Sequence, residues 1–228
     1  MEGFRVGGVL RTSFRVWKRN LVPFTLIALV IYAPDTVLRA MVDPTWVLAL
    51  LPLAILLNTI LSASLTYGVV MELYGTRPSL RACISNGVAQ LIPVIGVVAL
   101  SSLGIGAGLL LIVPGIVFAL NWYVVVPVAI IERLGVMDSL RRSRELTHDH
   151  RGQLFAIVVV TWLVTFALTY VGQQMLDGLA LLLASAVWSA MCGSLFAVVT
   201  AVAYTTLRQV KEGTRVPEIA TAFARFTR

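Results

Sequence analysis

Imidazole and carboxylate groups are what a bound zinc ion or a general base draws on, and His148, Asp149 and His150 bring three of them together. Successive helical positions turn by about 100°, so three neighbours point in three directions and do not converge on one ion. Their spacing supports a hydrated turn, and no metal or cofactor is expected. Cys83 and Cys192 are the only cysteines, both in apolar context, and read as small hydrophobes rather than a disulfide or a zinc motif. No nucleophile beside a base is recognisable, so catalytic residues are not expected. The remaining chemistry is electrostatic. Arg77, Arg81, Arg141, Arg142 and Arg144 are guanidinium groups suited to phosphate on an anionic lipid or to an acidic partner.

The elements that must position these arginines are membrane helices. Hydrophobic residues make up 58% of the 228-residue chain and charged residues 13%, against roughly 45–50% and about 25% in soluble domains. No charge falls between Arg81 and Glu132. The expected spans are Leu21–Val42, Trp46–Met71, Leu91–Val113, Ile116–Ile131, Leu154–Val171 and Leu179–Tyr204. The fourth has roughly 16 residues, short for a ~30 Å hydrocarbon core. The fold class is therefore all-α, a polytopic bundle of about six spans in one integral domain, with a re-entrant third or fourth stretch as the alternative. Asp35 and Arg39, four apart with the acid first, either pair at the outer interface or stand as two solvated charges at the headgroup level.

Topology follows from the basic residues. With the N-terminus in the cytoplasm, 17 of 18 lysines and arginines fall inside, leaving Arg39 alone outside. Both termini are thus expected in the cytoplasm. The net charge of +7 reads as a membrane-surface signature, with nucleic acid the weaker alternative. The first 20 residues alternate Phe4, Val9 or Leu10, Phe14 and Trp17 with arginine and lysine, as an interfacial helix does.

Two connections repeat at a spacing of 60 residues: Glu72 and Gly75 before Ser79-Leu80-Arg81, and Glu132 and Gly135 before Ser139-Leu140-Arg141. Three tandem two-span units are expected, over about 8–76, 78–136 and 138–212, followed by a basic tail at 208–228. In each, glutamate ends a span, glycine makes the turn, and a short helix lies with leucine down and arginine toward lipid. The alternative is that Glu72 and Glu132 pair with Arg81 and Arg141 across the turn, for about 0–1 kcal/mol each. Pro114-Gly115 is expected to form an outer turn or hinge. Gly104 and Gly108 form a small-residue pair for close helix packing, which extends to a homo-oligomer contact.

The run Leu110-Leu111-Ile112-Val113-Pro114-Gly115-Ile116, Pro127-Val128, Glu132-Arg133-Leu134-Gly135 and Ser139-Leu140-Arg141-Arg142-Ser143 resembles the glycerophosphoryl diester phosphodiesterase membrane-domain family and related bacterial six-span inner-membrane proteins. That resemblance implies a bacterial cytoplasmic membrane location and fold but little chemistry, since this domain is not the hydrolytic part of those enzymes. His150-Arg151-Gly152 echoes the opening of their catalytic barrel, but the barrel's strand–helix repeats are absent from this sequence. The expected function is a non-enzymatic membrane protein engaging anionic lipid or a protein partner through its arginine-bearing helices. The alternative is a transporter or permease subunit for a lipid-like or small solute, with Asn58, Asn121, Ser101, Ser102 and Thr161 along its path.

Overall fold

A computed structural model describes residues 4–41, 43, 49–73, 75, 83, 91–175 and 178–213. Among the described residues the architecture is helical throughout: α1 (Val6–Arg19), α2 (Leu21–Met41), α3 (Leu51–Leu73), α4 (Leu91–Leu109), α5 (Val113–Asn121), α6 (Val125–Glu132), α7 (Val136–Thr147), α8 (Arg151–Met175) and α9 (Gly178–Glu212). Among the described residues, five helical stretches are long and apolar enough to cross a membrane: Leu21–Arg39, Leu51–Leu73, Val113–Glu132, Val136–Ala167 and Leu183–Glu212. Val94–Leu109 is apolar but shorter.

The axis of the bundle is α9. Its 35 residues extend about 52 Å, well beyond a ~30 Å hydrocarbon core. No glycine or proline interrupts it after Gly193 until Gly213, whose left-handed backbone (φ 64°) ends the helix. The stretch from Ala197 to Leu207 is the most enclosed part, with Val198, Ala201, Ala203, Tyr204 and Leu207 fully buried. Both α2 and α3 pack along α9, and α1 covers its C-terminal part. One end of α1 places Phe4 against His150, and the other has Trp17 Nε1 donating to Ser194 Oγ at 2.8 Å. The basic N-terminal helix is therefore docked lengthwise on α9. It buries Val9, Ser13 and Val16 and turns Arg11, Arg15 and Lys18 outward.

Two expectations change in the middle of the chain. The expected turn at Pro114-Gly115 lies instead at Leu110–Ile112. Pro114 stands in the first turn of α5, where its missing amide hydrogen costs nothing. Gly115 has a packing role: a Cβ there would stand 2.6 Å from the Leu109 amide nitrogen. The expected fourth span is also broken, α5 stopping at Asn121 and α6 starting at Val125.

Gly104 and Gly108 do form a packing face, and it is used within the chain. A Cβ on Gly104 would meet the Trp122 ring at 2.6 Å, and one on Gly108 would meet the Gly115 backbone at 2.9 Å. Trp122 in turn stacks on Phe118 at 5.1 Å. The close packing of this face is thus made by α5 and the residue that follows it.

Candidate functional site

Two places concentrate polar side chains. The first is the end of the bundle where α6, α7 and α9 meet. Glu132 closes α6, and the next residue, Arg133, takes the left-handed conformation (φ 50°) that reverses the chain into α7. Gly135, expected to make that turn, has φ −61° and is the residue before α7. Gly75 does have a left-handed backbone, with φ 89°. Along α7, Ser139, Leu140, Ser143, Leu146 and Thr147 are buried, which fixes the phase of its arginines.

That phase separates the three arginines. Arg142 turns inward: its Nε donates to Glu132 Oε2 at 2.8 Å, and its Nη2 bonds Glu212 Oε1. Tyr204, fully buried on α9, donates its hydroxyl to Glu132 Oε1 at 2.9 Å. Arg208 adds bonds to the Tyr204 hydroxyl at 3.1 Å and to Glu212 at 3.0 Å. Arg141, the alternative partner for Glu132, lies about 100° round the helix. It is exposed and pairs with Glu145 at 3.2 Å, while Arg144 is exposed as well. Glu72, with 5% of its side chain exposed, is held by Arg19 at 3.0 Å. Arg77 and Arg81 lie outside the described residues.

Sequence reasoning missed two groups here. The Asn121 carbonyl, orphaned where α5 breaks, accepts from Ser143 Oγ at 2.8 Å and Thr147 Oγ1 at 3.2 Å. The hydroxyls at 139, 143 and 147 recur every four residues along the buried face of α7, a stripe visible in the sequence. The other group is Tyr204, whose place beside Glu132 has no local signal. Of the triad at residues 148–150, His148 sits 3.1 Å from Asp149, Lys211 pairs with Asp149 at 2.7 Å, and the His150 ring lies tilted by 32° against Phe4 at 5.1 Å. Cys83 is buried, and that burial pushes its thiol up to about 11.

The second place is a cleft of about 1000 Å³ among α2, α3, α8 and α9. It runs along α9 from Ser185 to Thr200, and Asp35 and Arg39 line it, paired with each other at 2.7 Å. Inside it, Tyr32 donates to Asn58 Oδ1 at 3.0 Å. Close passage of Tyr32 requires Gly193, because a Cβ there would meet its hydroxyl at 2.6 Å. Trp162 and Phe166 of α8 form part of an apolar wall. Of the polar residues expected along a solute path, Asn58 lines this cleft. Asn121 is buried under α7, and Ser101 and Thr161 bond backbone carbonyls of their own helices, Val98 and Ile157.

Set against protein-family models, curated proteins and solved structures, the chain matches none of them.

Proposed function

We propose that this chain is a non-enzymatic, multi-pass protein of a bacterial cytoplasmic membrane, both termini cytoplasmic, that docks anionic lipid headgroups on the basic face of α1. The observation that carries this reading is the composition and setting of that helix. Arg11, Arg15 and Lys18 lie on one exposed face, no acidic residue occurs in α1, and Phe14 is 54% exposed among them. Lys18 is three residues before Leu21, where the first apolar helix begins. An exposed aromatic ring among cations at the start of a span suits the headgroup layer. Each basic side chain near an anionic surface is worth about 1 kcal/mol.

Arg141 and Arg144 extend this surface on α7, while Arg142 serves the internal cluster. The three-unit reading has structural support in its glutamates. Glu72, Glu132 and Glu212 each lie at the end of a helix, and each is bound by a guanidinium of a short helix, Arg19 or Arg142. The resemblance to phosphodiesterase membrane domains belongs to this proposal too.

The test is native mass spectrometry of protein released from nanodiscs containing phosphatidylglycerol. The wild type is expected to retain this lipid. Arg11→Gln, Arg15→Gln and Lys18→Gln together are expected to weaken retention about a hundredfold, at about 1 kcal/mol each. Equal retention by the two proteins would overturn the reading.

A further inference from the structure

We infer that the cleft among α2, α3, α8 and α9 is a binding site for a zwitterionic amphiphile, one whose headgroup carries both an ammonium and a phosphate. This inference does not rest on lipid docking at α1, whose cations select net negative charge.

Size and shape come first. Ser185 and Thr200 are fifteen helical steps apart on α9, a length of about 22 Å, which exceeds the ~15 Å depth of one leaflet's hydrocarbon. With a volume of about 1000 Å³, the cleft accepts an extended acyl chain. Ile55, Trp162, Phe166 and Phe196 supply apolar surface for that chain.

Charge decides the headgroup. Among the described residues, Asp35 and Arg39 are the two charged side chains that line the cleft, one of each sign. They satisfy each other through one bond, Arg39 Nε to Asp35 Oδ2, while Asp35 Oδ1 is occluded and has no hydrogen-bond partner among the described residues. An i,i+4 pair of this kind holds with only about 0.3–0.5 kcal/mol, so a ligand can open it cheaply. A headgroup with an ammonium and a phosphate replaces that pair with two: ammonium on Asp35, where Oδ1 gains its missing donor, and phosphate on Arg39. A purely anionic headgroup would satisfy Arg39 but leave the carboxylate facing like charge. Both signs are therefore required of the ligand.

Cys192 lines the cleft and reports on its occupancy, while buried Cys83 serves as an internal control. Delipidated protein in detergent would be titrated with phosphatidylethanolamine or phosphatidylglycerol, and Cys192 alkylation by a maleimide followed by mass. Phosphatidylethanolamine is expected to slow alkylation of Cys192 and to bind about tenfold more tightly than phosphatidylglycerol, the worth of one charge-assisted hydrogen bond. Asp35→Asn is expected to remove that preference. Ser189→Trp, which fills the cleft, is expected to abolish protection by either lipid. The triple α1 variant should protect Cys192 as the wild type does, so failure of the docking reading is seen separately. Equal protection by both lipids, or a preference that survives Asp35→Asn, would overturn the inference. A thermal unfolding midpoint measured for each variant separates lost binding from lost folding.

Discussion

Arg142 shows how much one residue of helical phase decides. The repeated Ser-Leu-Arg motif draws attention to Arg141, yet the guanidinium that reaches Glu132 belongs to its neighbour. The glutamates at the ends of the helices were legible because a lone acid after a long apolar run has few places to go. Their partners were not, because they depend on which side of α7 faces α9. That side is written in the hydroxyl stripe of Ser139, Ser143 and Thr147, a weaker pattern than the arginine cluster beside it. Glu132 is 14% exposed and Arg142 26% exposed at their side chains. Removing one partner of a pair this enclosed leaves a charge unsatisfied, whereas exposed pairs contribute little. Arg142→Ala is therefore expected to destabilise the folded protein by about 3 kcal/mol, and Arg141→Ala by less than about 0.5 kcal/mol. Unfolding of each variant in mixed micelles checks this, and equal losses would place the cluster outside the folding core. A triple alanine variant of residues 141, 142 and 144 would confound lipid binding with folding.

At the scale of elements, the shortness of the stretch from Ile116 to Ile131 already signals a span that does not cross the membrane as one straight rod. Where it breaks is set by partners distant in sequence. Ending α5 at Asn121 leaves a buried carbonyl without an amide, and such a group is costly in an apolar interior. Ser143 and Thr147 supply the donors, so α7 closes the bend as well as covering it. Ser143→Ala with Thr147→Val preserves shape but removes both hydroxyls. The pair is expected to cost about 2 kcal/mol, the penalty for an unsatisfied buried acceptor. Amide exchange at Trp122–Val125 should rise together with that loss. If stability and exchange both match the wild type, the break is held by packing alone.

For the whole molecule, length and polarity together constrain how the hairpin of α4 and α5 sits in the bilayer. The 19 residues of α4 span about 28 Å, slightly less than the ~30 Å core before any tilt. Its turn is entirely aliphatic and exposed, with Leu110 at 86% and Leu111 at 73%. Four aliphatic side chains from Leu110 to Val113 left in water would forgo about 6 kcal/mol or more. The turn is also suited to lipid in its backbone. The amides of Leu111, Ile112 and Val113 donate locally to Gly108, Leu109 and Leu111, and Pro114 has no amide hydrogen. On both considerations the tip is expected to stay inside the far leaflet, so that the hairpin would enter and leave by the same face. The expected count is then four crossings, one fewer than the five described stretches long enough to span, and an even number keeps both termini on one side, as the proposed positive-inside orientation requires. Impermeant maleimide applied to sealed cells tests this in a background of Cys83→Ala and Cys192→Ala. Asp43→Cys, in the connection between α2 and α3, is expected to label readily. Leu111→Cys is expected to stay unlabelled until detergent opens the membrane. Labelling of both at one rate would mean that the aliphatic turn stands in water, and that all six helical passes reach the outer surface.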